Sequence, residues 1–408
     1  MGRVVITGVG GISALGSSWP DIRACLRAGR NAVRYMTEWD SLTDLNTRLA
    51  APIDGFKPPA HWTRKQLRSM GRVSQFAVRA SELALADAGF AGDPSIKDGR
   101  MGVACGSSVG STPDIRNFVE MLQTGKSGGL NANSYVRMMP HTAAANVGIF
   151  FGLTGRIIPT SSACTSGSQG IGYACEAIRS GRQTLMLAGG AEELCPSEAI
   201  AFDILYATSR RNDSPAQTPR PYDKDRDGLV VGEGAAMFVL EDRDHALTRG
   251  ARIHAEVVGF ASNSDGAHVT RPVEATMRRV MELALEDAGL APQTIGYVNG
   301  HGTATEHGDI AETRATSSLL GSRTPISTQK SYLGHTLGAC GALEAWFTIE
   351  MMKDGWYAPT INLDAVDPLC GELDYVVGAG RDLDVEFSMS NNFAFGGVNT
   401  SLIFRRGG

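Results

Sequence analysis

The sequence predicts an α/β fold built from two similar halves. Short apolar runs typical of buried strands alternate with helix-like segments along the whole chain, which favours parallel or mixed sheets covered by helices. Residues 82–89 (ELALADAG) recur at an offset of 200 as residues 282–289 (ELALEDAG), and each copy is typical of an amphipathic helix closed by glycine. Each copy precedes an apolar strand and a glycine-rich loop. This shared context indicates a duplicated unit rather than chance similarity.

Composition and charge narrow the class of protein. The chain has 408 residues, enough for two ordinary domains or one large two-part domain, and its net charge of -5 gives no general case for binding nucleic acid. The polar, proline-rich segment 210–228 is expected to be a loop and not a linker, because strand-like residues resume directly after it.

The cysteines and the apolar segments predict a cytoplasmic protein. The seven cysteines form no Cys-x-x-Cys pair or cluster, so we expect neither a disulfide framework nor a zinc site. Residues 1–7 are typical of a strand and not of a signal peptide. No apolar run approaches the length that crosses a membrane, so we expect no membrane association.

Cys164 is the candidate nucleophile. It lies in a run of small residues, PTSSACTSGSQG, between an extended segment and a helix-like segment with apolar residues at Ile171, Ala174, Cys175 and Ile178. A thiol at such a turn lies near the positive end of the helix dipole, which is expected to lower its pKa. We interpret the other six cysteines as small buried apolar residues.

Two distant histidines are the candidate partners of Cys164. His301 follows a predicted strand within the sequence GHGT, and His335 follows another within LGHT. Sites in α/β folds collect at the carboxyl ends of strands, so these loops are expected to meet the cysteine in space. Lys330 lies in the same loop as His335, where surface charge alone is an equal alternative.

Three further motifs give weaker evidence of function. Residues 390–397 (SNNFAFGG) contain a double-glycine turn that can present backbone N–H groups to an oxyanion. Residues 8–13 (GVGGIS) match a dinucleotide-binding fingerprint poorly, since serine stands at its third glycine. Arg64, Lys65, Arg68 and Arg72 are predicted to share a helix face, which is either an ordinary solvated face or a docking surface for an acidic partner.

Taken together, these motifs resemble the β-ketoacyl-acyl-carrier-protein synthases of the elongating KAS I/KAS II type, in the thiolase superfamily. The resemblance runs nearly end to end through SACTSG, RPYDKDRDG, HGTAT, KSYLGH and NFAFGG. It implies a thiolase-like fold of two βαβαβαββ halves in five layers (αβαβα), near residues 1–252 and 253–408. It also implies a homodimer, with a heterodimer of related subunits as the alternative.

The resemblance implies a decarboxylative condensation with malonyl-acyl-carrier protein and no catalytic cofactor. Cys164 would carry the acyl group, His301 and His335 would stabilise the enolate, and Lys330 would orient the histidines and pair with Glu312. The implied oxyanion and gate residues are Phe395 and Phe393, and Val109 would line the acyl pocket. The positions that hold a structural monovalent cation, sodium or potassium, are Asn299, Glu344, Ser390 and Asn391. The positions that dock an acidic carrier protein with a 4'-phosphopantetheine arm are Arg64, Lys65, Arg68 and Lys126.

The sequence departs from the family pattern at Glu306, Tyr332 and Ala394, where proline, methionine and glycine are usual. Alanine disfavours positive φ, so the loop around Ala394 is expected to be stiffer or differently set. Acyl length and pathway stay open, with aryl-polyene or polyketide-type elongation beside fatty-acid synthesis.

Three alternative functions stay open. A thiolase needs a second cysteine near the C-terminus, and Cys370 is not in the glycine-rich turn. A KAS III-type starter enzyme has asparagine where this chain has His335. A chain-length partner subunit lacks the nucleophile that is present here.

Overall fold

The structure is a computed structural model that describes residues 2–407. Its helices are Trp19–Arg27 (α1), Arg64–Leu67 (α2), Arg72–Asp87 (α3), Ile115–Thr124 (α4), Ala132–Met138 (α5), Thr142–Phe151 (α6), Ser166–Arg179 (α7), Pro196–Asp203 (α8), Arg243–Thr248 (α9), Glu274–Ala288 (α10), Glu306–Leu320 (α11), Lys330–Leu333 (α12) and Cys340–Asp354 (α13). Its strands are Val4–Ser13 (β1), Arg34–Tyr35 (β2), Leu49–Ala51 (β3), Met101–Gly106 (β4), Ile157–Pro159 (β5), Leu185–Glu192 (β6), Val231–Gly232 (β7), Gly234–Asp242 (β8), Ala255–Ser264 (β9), Ile295–Asn299 (β10), Pro325–Ser327 (β11), Trp356–Tyr357 (β12), Asp374–Tyr375 (β13), Arg381–Asp382 (β14), Phe387–Phe393 (β15) and Val398–Arg406 (β16).

The two halves have the same strand topology. Hydrogen bonds link eleven strands in the order β13-β11-β10-β15-β16-β9-β1-β8-β6-β4-β5. The strands β1, β4, β5, β6 and β8 of the first half repeat, in the same relative positions, as β9, β10, β11, β15 and β16 of the second. The predicted duplication is therefore confirmed. The two sets meet where β1 pairs with β9, and the boundary at residue 252 stays a prediction.

Helices form three layers around these two sets of strands. The helix α3 packs on β1, β8 and β6, and α10 packs on β9 and β16, so each copy of the repeat covers the outer face of its own half. The helices α7 and α13 contact strands from both halves and each other. The result is the expected five-layer arrangement, with α7 and α13 as its middle layer.

Small residues let the two central helices approach closely at their N-terminal ends. A Cβ atom on Gly167 would lie 2.8 Å from the backbone nitrogen of Ala342, and one on Gly341 would lie 2.8 Å from that of Ser168. Larger residues there would push α7 and α13 apart. The predicted apolar face of α7 is buried as expected, at Ile171, Ala174, Cys175 and Ile178.

Within residues 2–407, none of the helices combines the length and the apolar character that crossing a membrane requires.

Candidate active site

Cys164 lies on a strained turn at the start of α7. The short 3₁₀ turn Ala163–Thr165 comes between β5 and α7, and Ala163 has a φ of 51°, which an L-residue adopts at a cost. The backbone thereby turns Cys164 towards the second half of the chain. Its side chain is buried, at 4 % exposure. The expected strand-to-helix position is therefore present.

His335 lies directly against the cysteine. Its Nε2 atom is 3.1 Å from Cys164 Sγ, while its Nδ1 atom accepts a hydrogen bond from the N–H of Leu337 at 3.2 Å. A neutral imidazole has one donor and one acceptor nitrogen, so the ring proton belongs on Nε2. His335 therefore presents an N–H donor to the space beside the sulfur.

His301 presents its ring to the same space. It follows β10, and its ring centroid lies 5.2 Å from that of His335 with perpendicular planes. The ammonium of Lys330 donates to its Nδ1 at 3.1 Å, and the Asn392 amide lies 3.4 Å from the same atom. Because Nδ1 accepts, Nε2 of His301 also carries the proton.

Lys330 pairs with Glu344, so the predicted pairing with Glu312 is wrong. The Lys330 ammonium donates to the carboxylate of Glu344 on α13, which also accepts from the Asn392 amide at 2.7 Å. All three side chains are buried. Burial, the largest single effect, disfavours the charge on Lys330, but Glu344 together with Cys340 and Glu312 outweighs it and raises the pKa of Lys330.

Glu312 has a different role in the structure. From α11 it accepts the backbone N–H groups of His301 and Gly302 at 2.5 and 2.7 Å. It therefore fixes the main chain that carries His301, while Lys330 fixes the ring. A buried carboxylate is a strong acceptor for two N–H groups on one loop.

Both histidines are neutral in this environment. Burial, followed by the charge of Lys330, lowers the pKa of His301 and of His335 well below the ordinary value. A neutral ring with its proton on Nε2 can donate to an oxygen that gains negative charge.

The expected low pKa of Cys164 is wrong for the free protein. Burial raises the pKa of the Cys164 thiol to about 11, although the N–H of Phe395 and the charge of Lys330 act in the opposite direction. Desolvation thus outweighs the charge of Lys330 and the N–H groups of Phe395 and Cys164. The same backbone N–H groups, of Cys164 and Phe395, remain available to an acyl oxygen bound to the sulfur.

Two cavities meet at Cys164. One, of about 500 Å³, opens to the surface beside Tyr206 and Val269 and reaches both histidines. The other, of about 760 Å³, extends behind the cysteine and is lined by Val109. Phe202 and Phe395 line both cavities, and their ring centroids are 4.9 Å apart. These two rings stand between the cavities, a position that suits a gate.

Several predicted residues surround this pair of cavities. Phe393 packs on His301 with ring centroids 6.1 Å apart, and Phe395 belongs to a loop tied to residues 265–269 by backbone hydrogen bonds. Ala394 has no positive φ, so alanine fits this loop without backbone strain. Val109 lies on the wall of the rear cavity and is 37 % exposed.

The predicted basic face is smaller than expected. Arg64, Lys65 and Arg68 are exposed at α2, and Lys126 is exposed between α4 and α5. Arg72 does not belong to this face, because the chain starts a new helix there and its guanidinium pairs with buried Glu233 at 2.7 Å.

Only two of the four candidate cation residues are arranged as a shared cation site would require. Asn299 and Ser390 lie side by side on the paired strands β10 and β15 and face α13, and their side-chain oxygens, Oδ1 and Oγ, have no hydrogen-bond partner among residues 2–407. The Asn391 side chain lies on the opposite face of β15, against Met281 of α10. Glu344 is occupied by Lys330 and Asn392. Two free oxygens can therefore serve a cation, whereas the four predicted side chains do not converge on one.

Sequence reasoning missed Cys340, Asn392 and Phe202. The Cys340 thiol donates to the carbonyl of Cys164 at 3.1 Å, so this cysteine supports the nucleophile's turn and is not merely a packed apolar residue. Asn392 holds both His301 and Glu344. Asn392 lies within the motif at residues 390–397, whereas Cys340 lies five residues after His335, just beyond the motif that contains this histidine. Phe202 had no local signal.

Comparison with known proteins identifies the family. The profile described as "Beta-ketoacyl synthase, N-terminal domain" matches residues 1–246, and the profile described as "Beta-ketoacyl synthase, C-terminal domain" matches residues 254–364. The chain belongs to the beta-ketoacyl synthase family.

Relatives of this beta-ketoacyl synthase cover it end to end. A 3-oxoacyl-[acyl-carrier-protein] synthase 2 of Vibrio cholerae is 38% identical over 421 residues, which cover 99% of each chain. A crystal structure of a beta-ketoacyl synthase from Burkholderia phymatum is 66% identical, covers 100% of each chain and has a TM-score of 0.99. A type II polyketide ketosynthase in complex with its acyl-carrier protein is 31% identical, covers 99% of each chain and has a TM-score of 0.86.

The family and the site geometry argue against the alternatives. Of the described residues, Cys370 lines neither cavity at Cys164, so the thiolase alternative has no second cysteine in place. His335 occupies the position where a KAS III-type enzyme would need asparagine. Cys164 lies within reach of both histidines, which a subunit without a nucleophile would not need.

The lowered histidine pKa values predict a pH profile. Malonyl decarboxylation should stay level as the pH falls from 8 to about 6.5, the ordinary histidine pKa, because both rings remain neutral below that value. Initial rates of carbon dioxide release measure this profile, with circular dichroism as the control for folding. A decline with a midpoint at the ordinary histidine value would contradict the prediction.

Proposed function

We propose that this chain condenses an acyl group held on Cys164 with a malonyl thioester presented on an acyl carrier protein, giving a β-ketoacyl thioester. The observation that carries the proposal is the convergence of one buried thiol and two neutral imidazoles, whose ligand atoms lie within 4.8 Å of one another where two cavities meet. Family membership supports the same reaction.

The first half-reaction is acyl transfer to the cysteine. The Cys164 sulfur attacks the carbonyl of the incoming thioester, and the thiol proton leaves with the departing carrier thiol. The N–H groups of Cys164 and Phe395, which point at the sulfur, can hold the oxyanion of the tetrahedral intermediate. The acyl chain then occupies the rear cavity, past Phe202 and Phe395.

The second half-reaction forms the new carbon–carbon bond. The bond between the malonyl carboxylate and its α-carbon breaks, carbon dioxide leaves, and the electron pair places negative charge on the thioester oxygen. The Nε2–H groups of His301 and His335 stabilise that oxygen. The enolate carbon attacks the acyl carbonyl, and Cys164 leaves as the thiolate. Lys330 keeps Nδ1 of His301 in the acceptor form, which leaves Nε2 as the donor.

Separate assays of the two half-reactions test this assignment. Cys164→Ala should abolish acylation, seen as the loss of an acyl adduct by intact-mass analysis. His301→Ala should slow malonyl decarboxylation by at least about 100-fold while acylation of Cys164 persists, because one donor to the enolate oxygen is lost. An acyl adduct on the Cys164→Ala variant, or decarboxylation that survives in His301→Ala, would refute the mechanism.

We propose that an acidic carrier protein docks on Arg64, Lys65, Arg68 and Lys126. All four side chains are exposed, and none forms an ion pair with the residues at 2–407. Carrier-bound substrates must reach the cavity mouth at Tyr206 and Val269. The ketosynthase–carrier complex among the similar structures supports this kind of partner.

Charge reversal tests the docking surface. Lys65→Glu with Arg68→Glu should raise KM for a carrier-bound acyl group several-fold and flatten its dependence on salt, since attractive charges are lost. The matched control is Arg323→Glu. Arg323 is an exposed basic residue just before β11 and lies outside the proposed docking surface. An equal loss with an acyl group on a small thiol would show that the surface is structural.

We propose a homodimer that pairs strand β5 with its copy. This strand is the edge of the sheet, and Ile157 on it and Ile149 on α6 are exposed by 44% and 75%. An apolar edge strand in water is a ready site for pairing with a second chain. Ile157→Lys should shift the sedimentation mass from dimer to monomer, whereas Leu247→Lys, at a comparably exposed site on α9, should leave it unchanged. A wild-type monomer would refute the proposal.

We propose that Asn299 Oδ1 and Ser390 Oγ hold a monovalent cation. Neighbouring strands lie about 4.8 Å apart, a separation that one ion can bridge with help from water or carbonyl oxygens. Sodium or potassium chloride should raise the melting temperature above that in choline chloride of equal ionic strength. Ser390→Ala should remove the difference. Equal melting temperatures for the wild type in all salts would refute the site.

We propose that the protein acts in the cytoplasm. All seven of its cysteines are free, which suits a reducing compartment.

A further inference from the structure

The rear cavity contains an acidic side chain that the proposed mechanism does not use. Glu198, Ala201 and Phe202 line this cavity from α8, at the spacing of one helix face. Phe202 lies at the cysteine end, with its ring centroid 6.4 Å from that of His335. Glu198 is one helical turn, about 5.4 Å, further along the same face. Phe202 and Glu198 therefore both line the space that an acyl chain on Cys164 would enter.

The carboxyl of Glu198 is only half satisfied. Its Oε2 atom accepts the N–H of Cys195 at 3.3 Å, which caps the start of α8. Its Oε1 atom has no hydrogen-bond partner among the residues that the structure describes, and the side chain is buried, at 4 % exposure. A helix cap accounts for one oxygen and leaves the other without a protein partner.

The surroundings of Glu198 favour its neutral form. Burial, then Glu192 and Glu193, raise its pKa well above the ordinary value; the Cys195 thiol acts in the same direction, and only the N–H of Cys195 opposes them. A neutral carboxyl can both donate and accept a hydrogen bond. The other ionisable side chain on this wall besides the thiols is Arg116, which is exposed.

Most of the remaining wall is apolar, although the hydroxyl side chains of Ser108, Thr112 and Ser197 also line it. Val109, Ile115, Ala201 and Leu337 line the same cavity and suit a hydrocarbon stem. The Oε1 atom of Glu198 is already shielded from water, and a plain alkyl chain would leave it unpaired, which is unfavourable for a buried polar group. A chain with one oxygen at the right carbon would satisfy it.

We infer that the acyl group carried by Cys164 bears a hydrogen-bonding oxygen, as a hydroxyl or keto group, that contacts Glu198. The inference rests on the proposed condensing function and names its substrate class. Glu198 is thus a specificity residue that selects oxygenated acyl chains over saturated alkyl chains of equal length.

A matched series of thioesters tests the inference. Octanoyl-pantetheine is compared with hydroxy- and oxo-octanoyl-pantetheine in which the oxygen is moved carbon by carbon from the middle of the chain to its end. The rate of Cys164 acylation is followed by intact mass. At one position, the oxygenated chain should react at least about tenfold faster than octanoyl. The hydroxy and oxo series separate a preference for a donor from a preference for an acceptor.

Three variants locate the cause of the preference. Glu198→Gln keeps both the helix cap and hydrogen bonding, so it should retain the preference. Glu198→Met offers an apolar side chain of similar length, so it should lose the preference and react faster with octanoyl. Arg116→Met should behave as the wild type. Thermal melting shows whether each variant folds.

The wild-type series decides the matter even if Glu198→Met does not fold. Equal rates for all chains, a preference that survives in Glu198→Met, or one that Arg116→Met alone removes would overturn the inference. Condensation of the acylated enzyme with malonyl-carrier protein is measured in parallel. Failure of condensation with every chain would refute the proposed function instead. The acylation rates would still show whether Glu198 selects oxygenated chains.

Discussion

The buried ion pair between Lys330 and Glu344 is the constraint on which the site depends. Removing two charges from water costs several kcal/mol for each ion, and the attraction between them offsets this only with close contact and further hydrogen bonds. Asn392 and His301 supply those bonds. The pair ties the loop after β11 to α13 and sets the ring orientation of His301. Loss of Glu344 alone would leave a buried ammonium beside both histidines.

The duplicated fold explains why the site lies where it does. Each half contributes a strained turn ahead of a central helix: Ala163 before α7, with a φ of 51°, and Leu337 before α13, with a φ of 47°. The first turn carries Cys164, and the second provides the N–H that sets the tautomer of His335. Neither half contains nucleophile and donors together. Chemistry therefore requires the close packing of α7 on α13.

Much of this arrangement could be predicted from the sequence, because strand and helix periodicity are local signals and the repeat is visible as two similar segments of the chain. The positions of Cys164, His301 and His335 followed from turns at strand ends. The partner of Lys330 did not, because Glu312 and Glu344 are both buried and only the packing of α11 and α13 decides which carboxylate reaches the ammonium. Arg72 was misplaced because the break before α3 rotates it towards Glu233. The pKa of Cys164 depends on burial, which a turn motif does not reveal.

Two cavities meet at Phe202 and Phe395, so an acyl chain on Cys164 and an incoming malonyl group can occupy separate spaces. In the proposed reaction, the lengthened chain leaves the rear cavity on its carrier protein after each condensation. No part of the chain then stays bound to Cys164. In the proposed reaction, the length of chain that Cys164 can carry depends on the space of the rear cavity, about 760 Å³ in all, and on the wall groups that contact the chain.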